Sequence, residues 1–137
     1  MKASSDPALA WLLEKADPGV RAFALRDLLG VPADDRQVLA ARRAALRASP
    51  VGEILDAQQP EGYWVKPGAG YSPKYTGTAW SMIFLGQLGA DGQDRRVQRG
   101  ADYLLDHARA PLPYGGFSVN ATPSGMVHCL QGNLSAS

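Results

Sequence analysis

The chain has 137 residues, with 14 basic and 13 acidic side chains and a net charge of +1. That length suits one modest core, and the charge balance excludes an electrostatic case for nucleic acid or an anionic membrane. The single Cys129 excludes an internal disulfide framework, no apolar run reaches the roughly 18–20 residues that span a bilayer, and the short polar N-terminus lacks a signal-peptide core, so the expectation is a cytoplasmic protein without a transmembrane segment.

Asp6-Pro7 reads as a helix start, with Asp as N-cap and Pro at the first helical position. Leu9, Leu12, Leu13 and Ala16 then share one helical face. Asp17-Pro18 repeats the start signal, Val20, Phe23, Ala24 and Leu28 form a second apolar stripe, and Gly30 ends it. Ala, Leu and Arg content predicts a third helix from about Asp35 to Ala48. Ser49-Pro50 interrupts the chain and opens a short helix over Val51 to Gln58.

From Gln59 to Tyr75 Gly, Pro and aromatic residues replace any helical or strand period. Tyr63, Trp64, Tyr71 and Tyr75 have large apolar surfaces to bury, which predicts an ordered loop. Thr78 to Leu88 carries no charge, and a helix apolar all round is normally buried on several sides. Asp94 to Ala108 is amphipathic, with Val97, Ala101, Leu104 and Leu105 on one face. A second Gly/Pro/aromatic loop covers Pro111 to Gly125, and a second uncharged helix is expected from Met126 to Ser137. The fold class expected is all-α, since alternation of the strand type is absent. The sequons at Asn120-Ala121-Thr122 and Asn133-Leu134-Ser135 read as chance matches in a chain without a secretory signal.

From Pro50 onward the order is charged helix, glycine-aromatic loop, uncharged helix, and the order then recurs. Ile54-Leu55-Asp56 corresponds to Leu104-Leu105-Asp106, Gly62-Tyr63-Trp64 to Gly115-Gly116-Phe117, and Thr78-Ala79-Trp80 loosely to His128-Cys129-Leu130. The period is roughly 50 residues, in the range of stacked supersecondary units. Each such unit is a helical hairpin that needs a neighbour to bury its apolar face. A charged partner helix is expected after the second uncharged one. The expectation is therefore a piece of a longer repeat, or a chain that self-associates through an exposed apolar C-terminal face.

Two stretches carry a resemblance. Gln58-Gln59-Pro60-Glu61-Gly62-Tyr63-Trp64 fits the second half of the repeat motif of squalene and hopene cyclases, Gln-x3-Gly-x-Trp. Arg99-Gly100-Ala101-Asp102-Tyr103-Leu104 fits its first half. Glu53 stands where the first copy should have its aromatic residue; Ala108 and Phe117 replace the Gln and Trp of the second. The chain from residue 50 to 137 thus resembles the terpenoid cyclase and protein prenyltransferase superfamily of α/α toroids. The resemblance implies two partial toroid repeats in an incomplete barrel, with outer charged helices and inner uncharged ones around an apolar cavity. Residues 1–49 form a separate helical segment in which Asp17-Pro18-Gly19-Val20-Arg21, Ala24 and Leu28-Leu29-Gly30 resemble a HEAT repeat. In the toroid reading Gln58, Gly62, Trp64, Arg99, Gly100, Tyr103, Gly115 and Phe117 are structural staples.

No complete catalytic motif accompanies this scaffold. The acidic Asp-x-Asp-Asp cluster of hopene cyclases is absent, and Asp34-Asp35, Asp91 and Asp94 read as helix caps. Prenyltransferases hold zinc through Asp, Cys and His, but the adjacent His128 and Cys129 point about 100° apart on a helix and suit a shared ion poorly. Cys129 reads as a small buried residue and His128 as a helix-start polar group, so no metal or cofactor is identified. Tyr75, Trp80, Phe84, His128 and Cys129 are the candidates for lining a cavity, where aromatic faces can stabilise a cation. The resemblance implies an isoprenoid-handling domain; the alternative is a non-catalytic helical scaffold that binds a protein partner or an apolar small molecule.

Overall fold

The computed structural model describes residues 6–136. Among them every regular element is helical, apart from one isolated antiparallel bridge between Arg109 and Phe117. The chain divides into two compact units between Glu53 and Ile54.

In the first unit α1 spans Pro7–Leu12 and α2 spans Pro18–Phe23. Both start as their Asp-Pro pairs predict: Asp6 accepts from the Ala8 amide at 2.9 Å and Asp17 from the Val20 amide at 3.2 Å. The Arg21 guanidinium donates to the Leu13 carbonyl and ties the turn between them. Helix α1 buries no residue, and Trp11 is 68% exposed. Ala16 of its predicted stripe is exposed as well, because the helix ends at Leu12.

Helix α2 runs on as a π-helical turn over Ala24–Leu28, closed by the Leu29 amide on the Ala24 carbonyl at 3.2 Å. This corrects the second stripe. A π turn is wider than an α turn and rotates the residues that follow. Leu25 is thereby buried beside Ala24, whereas Val20 is 37% and Leu28 61% exposed. Helix α3, Arg36–Ala45, packs on α2 and buries Val38, Ala41 and Ala45, a spacing of three and four. Asp35 caps it through the Gln37 amide at 2.7 Å. The helix stops at Ala45 rather than Ala48 because the next amides bond three residues back, Arg47 to Ala44 and Ala48 to Ala45.

The unit boundary falls within α4, Val51–Asp56. The second unit continues with α5 (Thr78–Gln87), α6 (Arg95–His107) and α7 (His128–Ala136). Helix α5 packs against both α6 and α7 and buries Thr78, Ala79, Ser81, Met82, Ile83 and Leu85. An uncharged helix with neighbours on two sides is what its composition predicts. Trp80 and Phe84, one turn apart, leave a half-exposed stripe on it. Asp94 caps α6 through the Arg96 amide at 2.8 Å, and the helix buries Gly100, Tyr103 and Leu104. Leu105, assigned to the same face, is 44% exposed. Helix α7 starts two residues later than predicted, since Pro123–Gly125 forms a 3-10 turn and Met126 is extended. Its predicted last residue, Ser137, lies outside the described residues. Among those residues no helix is long and apolar enough to cross a membrane.

Candidate functional site

The two half-motifs meet in space. A tight turn brings the Gly62 amide to the Gln59 carbonyl at 2.9 Å and the Gln59 amide to the Tyr63 carbonyl at 2.8 Å. Gly62 takes φ +107°, and a Cβ there would lie 2.6 Å from the Arg99 carbonyl oxygen, so only glycine lets this turn touch α6. Trp64 is 3% exposed. Its indole N–H donates to the Ile54 carbonyl at 2.6 Å and its amide to the Thr78 hydroxyl at 3.1 Å. Over its ring lies Gly100, whose absent Cβ would sit 3.0 Å from the six-membered ring. Gln58 donates to the Arg96 carbonyl at 2.9 Å and accepts from the Arg99 guanidinium at 2.7 Å. The Tyr103 ring packs against Tyr63 at 5.4 Å, and its hydroxyl accepts from the Gly68 amide at 2.9 Å. Gln58, Gly62 and Trp64 thus build a single joint with Arg99, Gly100 and Tyr103.

Phe117 marks a second corner of related build. Gly115 and Gly116 both have positive φ, at 66° and 75°. The Ala110 amide bonds the Gly116 carbonyl at 2.9 Å and the Ser118 amide bonds the Ala108 carbonyl at 2.7 Å. The Phe117 amide donates to Gln131 Oε1 at 2.8 Å, and Gln131 Nε2 donates back to the Phe117 carbonyl. In both corners the aromatic residue's amide is held by a side chain 14 positions later, on the uncharged helix. Sequence reasoning missed these anchors, Thr78 and Gln131; the shared 14-residue spacing was the available signal. Ser118 is fully buried, and its hydroxyl donates to the Thr122 carbonyl at 2.6 Å and accepts from the Thr122 amide at 3.0 Å. Asn120 of the first sequon folds back on this turn, accepting from the Thr122 hydroxyl at 2.7 Å.

The corners differ in what covers them. Trp64 is enclosed, while Phe117 is half-buried at the rim of a groove of about 310 Å³. Met82, Val97, Ala101, Leu104, Leu105 and Leu134 also line that groove. A shallower depression of about 720 Å³ lies on the outer side of α6, where Arg95, Arg99, Asp102, Asp106 and Glu61 mix both signs of charge.

The candidate cavity residues lie on an open surface. Trp80 is the hub: its ring centroid is 5.3 Å from Tyr71, 5.0 Å from Tyr75 and 6.5 Å from Phe84. Its indole N–H donates to the Tyr71 carbonyl at 2.9 Å. The Lys74 ammonium stands 4.9 Å from the Tyr75 centroid and 6.0 Å from that of Trp80. Hydrogen bonding to the Tyr75 side chain, with smaller contributions from Tyr71 and Cys129, holds the Lys74 pKa above the usual lysine value. Tyr75 itself is 58% exposed, which corrects the expectation that it buries its ring in the loop. It stands at φ +68° and points across Trp80 rather than inward.

His128 and Cys129 open α7, and both are exposed. The expectation of a buried Cys129 is thereby corrected: α7 turns Leu130 and Leu134, four apart, toward the core, and Cys129 falls on the other side. Among the described residues no three His, Cys, Asp or Glu side chains gather in a metal-binding group. Asp35 and Asp94 cap helices as expected, whereas Asp91 does not: its carboxylate accepts from the Gln93 amide at 3.0 Å in the turn that precedes the α6 cap. Arg96 pairs with Asp94 at 3.1 Å, and this hydrogen bonding holds the Asp94 carboxyl below the usual carboxylate range. No family model, curated protein or solved structure matches this chain.

Proposed function

We propose that the second unit is a helical-repeat module of the terpenoid cyclase and prenyltransferase kind that binds an apolar, isoprenoid-like chain without transforming it. The observation that carries this reading is the aromatic surface that Tyr71 and Tyr75 of the preceding loop form with Trp80 and Phe84 of the uncharged helix α5. Aromatic faces give a large contact area for a branched hydrocarbon at low entropic cost. Lys74, held over two of the rings, suits a polar or anionic head on the same ligand. The carboxylates of Asp35, Asp91 and Asp94 are engaged by backbone amides, which favours binding over a cyclisation started by any of these three acids.

The test is a titration of the full chain with farnesol and with farnesyl diphosphate, read by tryptophan emission and by mass analysis of the lipid. A saturable change in emission is expected, tighter for the diphosphate and abolished in Trp80→Phe, with the lipid recovered intact. A cyclised or hydrolysed product refutes the non-catalytic reading. Emission that does not saturate, or that responds equally in Trp80→Phe, refutes the aromatic surface as the site.

A further inference from the structure

Helix α3 carries charge of one sign. From Arg36 to Gly52 the chain has Arg36, Arg42, Arg43 and Arg47 and no acidic residue. On a wheel of 3.6 residues per turn, Arg36, Ala40 and Arg43 fall within roughly 60° of one another. They lie opposite the buried Val38, Ala41 and Ala45, and all three are exposed. Arg47 is exposed in the turn that closes the helix. The ion pairs among the described residues are made by Arg26 and Arg96, so no carboxylate there neutralises these four guanidiniums. Like charges one turn apart destabilise a surface helix, and a face that served solubility alone would intersperse both signs.

Two depressions meet on this face. One, of about 630 Å³, is lined by Arg36, Gln37, Ala40 and Arg43, with Asp35 beside them. The other, of about 460 Å³, is lined by Gln37, Ala40, Ala41 and Ala44 of α3 together with Lys15, Pro18 and Arg21. Arg36 and Arg43 thus border the strip of Ala40 and Ala44 on one side, and Lys15 and Arg21 on the other. The Asp35 carboxylate is engaged by the Gln37 amide. We infer that this face docks an acidic amphipathic segment of a partner protein, whose carboxylates meet Arg36, Arg43 and Lys15 and whose small apolar residues lie on Ala40 and Ala44. The planar guanidinium fork matches a carboxylate in bidentate fashion. The alanine strip gives methyl groups a contact that a sugar-phosphate backbone cannot match. The basic stretch is also short: the ten residues of α3 span about 15 Å. A longer polyanion running past it would meet Asp34 and Asp35 before the helix and Glu14 beside Lys15. A second copy of the chain is a poorer match, since Asp56 and Asp94 are paired with Arg96, and Asp102 and Asp106 share their face with Arg95 and Arg99. The surface lies wholly in the first unit and does not depend on the reading of the second.

The test adds a fluorescein-labelled synthetic peptide to the full chain and reads anisotropy. The peptide is an alanine-rich helix whose glutamates, three and four apart, share one face; a second peptide of the same composition has them spread around the helix. Saturable binding of the first is expected, weakening as salt is raised. The second peptide, and a single-stranded DNA oligonucleotide of equal charge, should each bind about fivefold or more weakly. A chain with both Arg36→Gln and Arg43→Gln should lose about tenfold or more in affinity for the first peptide. Arg43→Lys should lose less than Arg43→Gln, because the charge remains, and Arg95→Gln should bind as the native chain does. The substituted arginines are exposed, and an unchanged circular dichroism spectrum verifies that the double variant folds. The inference is overturned by an absence of saturable binding, by an affinity indifferent to Arg36 and Arg43, or by binding of the second peptide or the oligonucleotide as tight as that of the first. It is equally overturned if the chain alone forms a dimer that the double substitution dissolves, since a second copy would then occupy the face.

Discussion

Gly100 and Gly132 sit inside α6 and α7, and replacing each with alanine should move stability in different ways. In a helix interior alanine is favoured over glycine by roughly 1 kcal/mol, through lower backbone entropy in the unfolded chain. At Gly132 nothing lies within 4 Å of the new methyl group, so this gain stands alone. At Gly100 the methyl group would meet Met82 Sδ at 2.7 Å and the Trp64 ring at 3.0 Å. The thioether can swing aside, but the indole is pinned by its bonds to Ile54 and Thr78. Forcing an extra methyl group into such a site costs roughly 1–3 kcal/mol. Set against the propensity gain, Gly100→Ala should therefore range from neutral to about 2 kcal/mol destabilising, and Gly132→Ala should stabilise by roughly 1 kcal/mol.

Urea unfolding followed by tryptophan emission measures both, because Trp64 is buried in the second unit and reddens on exposure. A Trp64→Phe background adds a second check. The two indole carbons nearest Gly100 are absent from phenylalanine, so Gly100→Ala should be better tolerated there than in the native chain. Equal effects of the two alanine substitutions, or no coupling between positions 64 and 100, would refute the close approach of α6 to Trp64.

Gln58→Ala removes a donor from the Arg96 carbonyl and an acceptor from the Arg99 guanidinium, and should destabilise by about 1–2 kcal/mol in the same urea assay. Gln58→Glu keeps the Arg99 partner but sets a carboxylate oxygen against the Arg96 carbonyl, so at neutral pH it should not restore full stability. Gln131→Ala leaves the Phe117 amide without its side-chain acceptor, which should cost roughly 1–2 kcal/mol and quicken hydrogen exchange at Phe117. Asp94 has a lowered folded pKa, owing first to the side-chain hydrogen bond from Arg96. Its contribution to stability is thus complete above the ordinary carboxylate range, about pH 4, and is lost as pH falls through the lowered folded value. Asp94→Asn keeps an N-cap acceptor and loses the titration, so its thermal midpoint should fall less steeply than the native one below pH 4.

Features decided by a few neighbouring residues were legible in the sequence. The caps at Asp6, Asp17, Asp35 and Asp94 depend on a side chain two or three residues from its amide, and all four form. The absence of charge on α5 marked a helix with neighbours on two sides. Features that depend on a choice among nearly equal faces were not legible. A π turn at Ala24–Leu28 exchanges Leu28 for Leu25, and nothing in an Ala-Leu-Arg-Asp-Leu run marks it in advance. In α7, which also lacks charge apart from His128, hydropathy does not say which side is outward, so Cys129 could be placed only by seeing Leu130 and Leu134 meet the core. The anchors Thr78 and Gln131 escaped notice because each acts on a backbone amide in a distant loop, and the 14-residue spacing they share leaves no mark in the hydropathy pattern.

The two corners also bear on how stability is distributed within the second unit. Each fixes its aromatic residue locally, through one side-chain bond to the uncharged helix, yet Trp64 is 3% exposed and Phe117 half-buried. Local fixing therefore does not by itself bury the ring; a helix lying across it does. Burying a large apolar side chain is worth about 1.5–3 kcal/mol, and that gain belongs to the interface with the helix that covers it. Helix α5 has such interfaces with both α6 and α7, whereas α7 is in contact with α5 alone among the helices of closest packing. Opening of α7 should accordingly require less free energy than opening of α5, and amide exchange at Leu134 should outpace that at Ile83. Equal rates would show that the corner at Phe117 is already energetically closed.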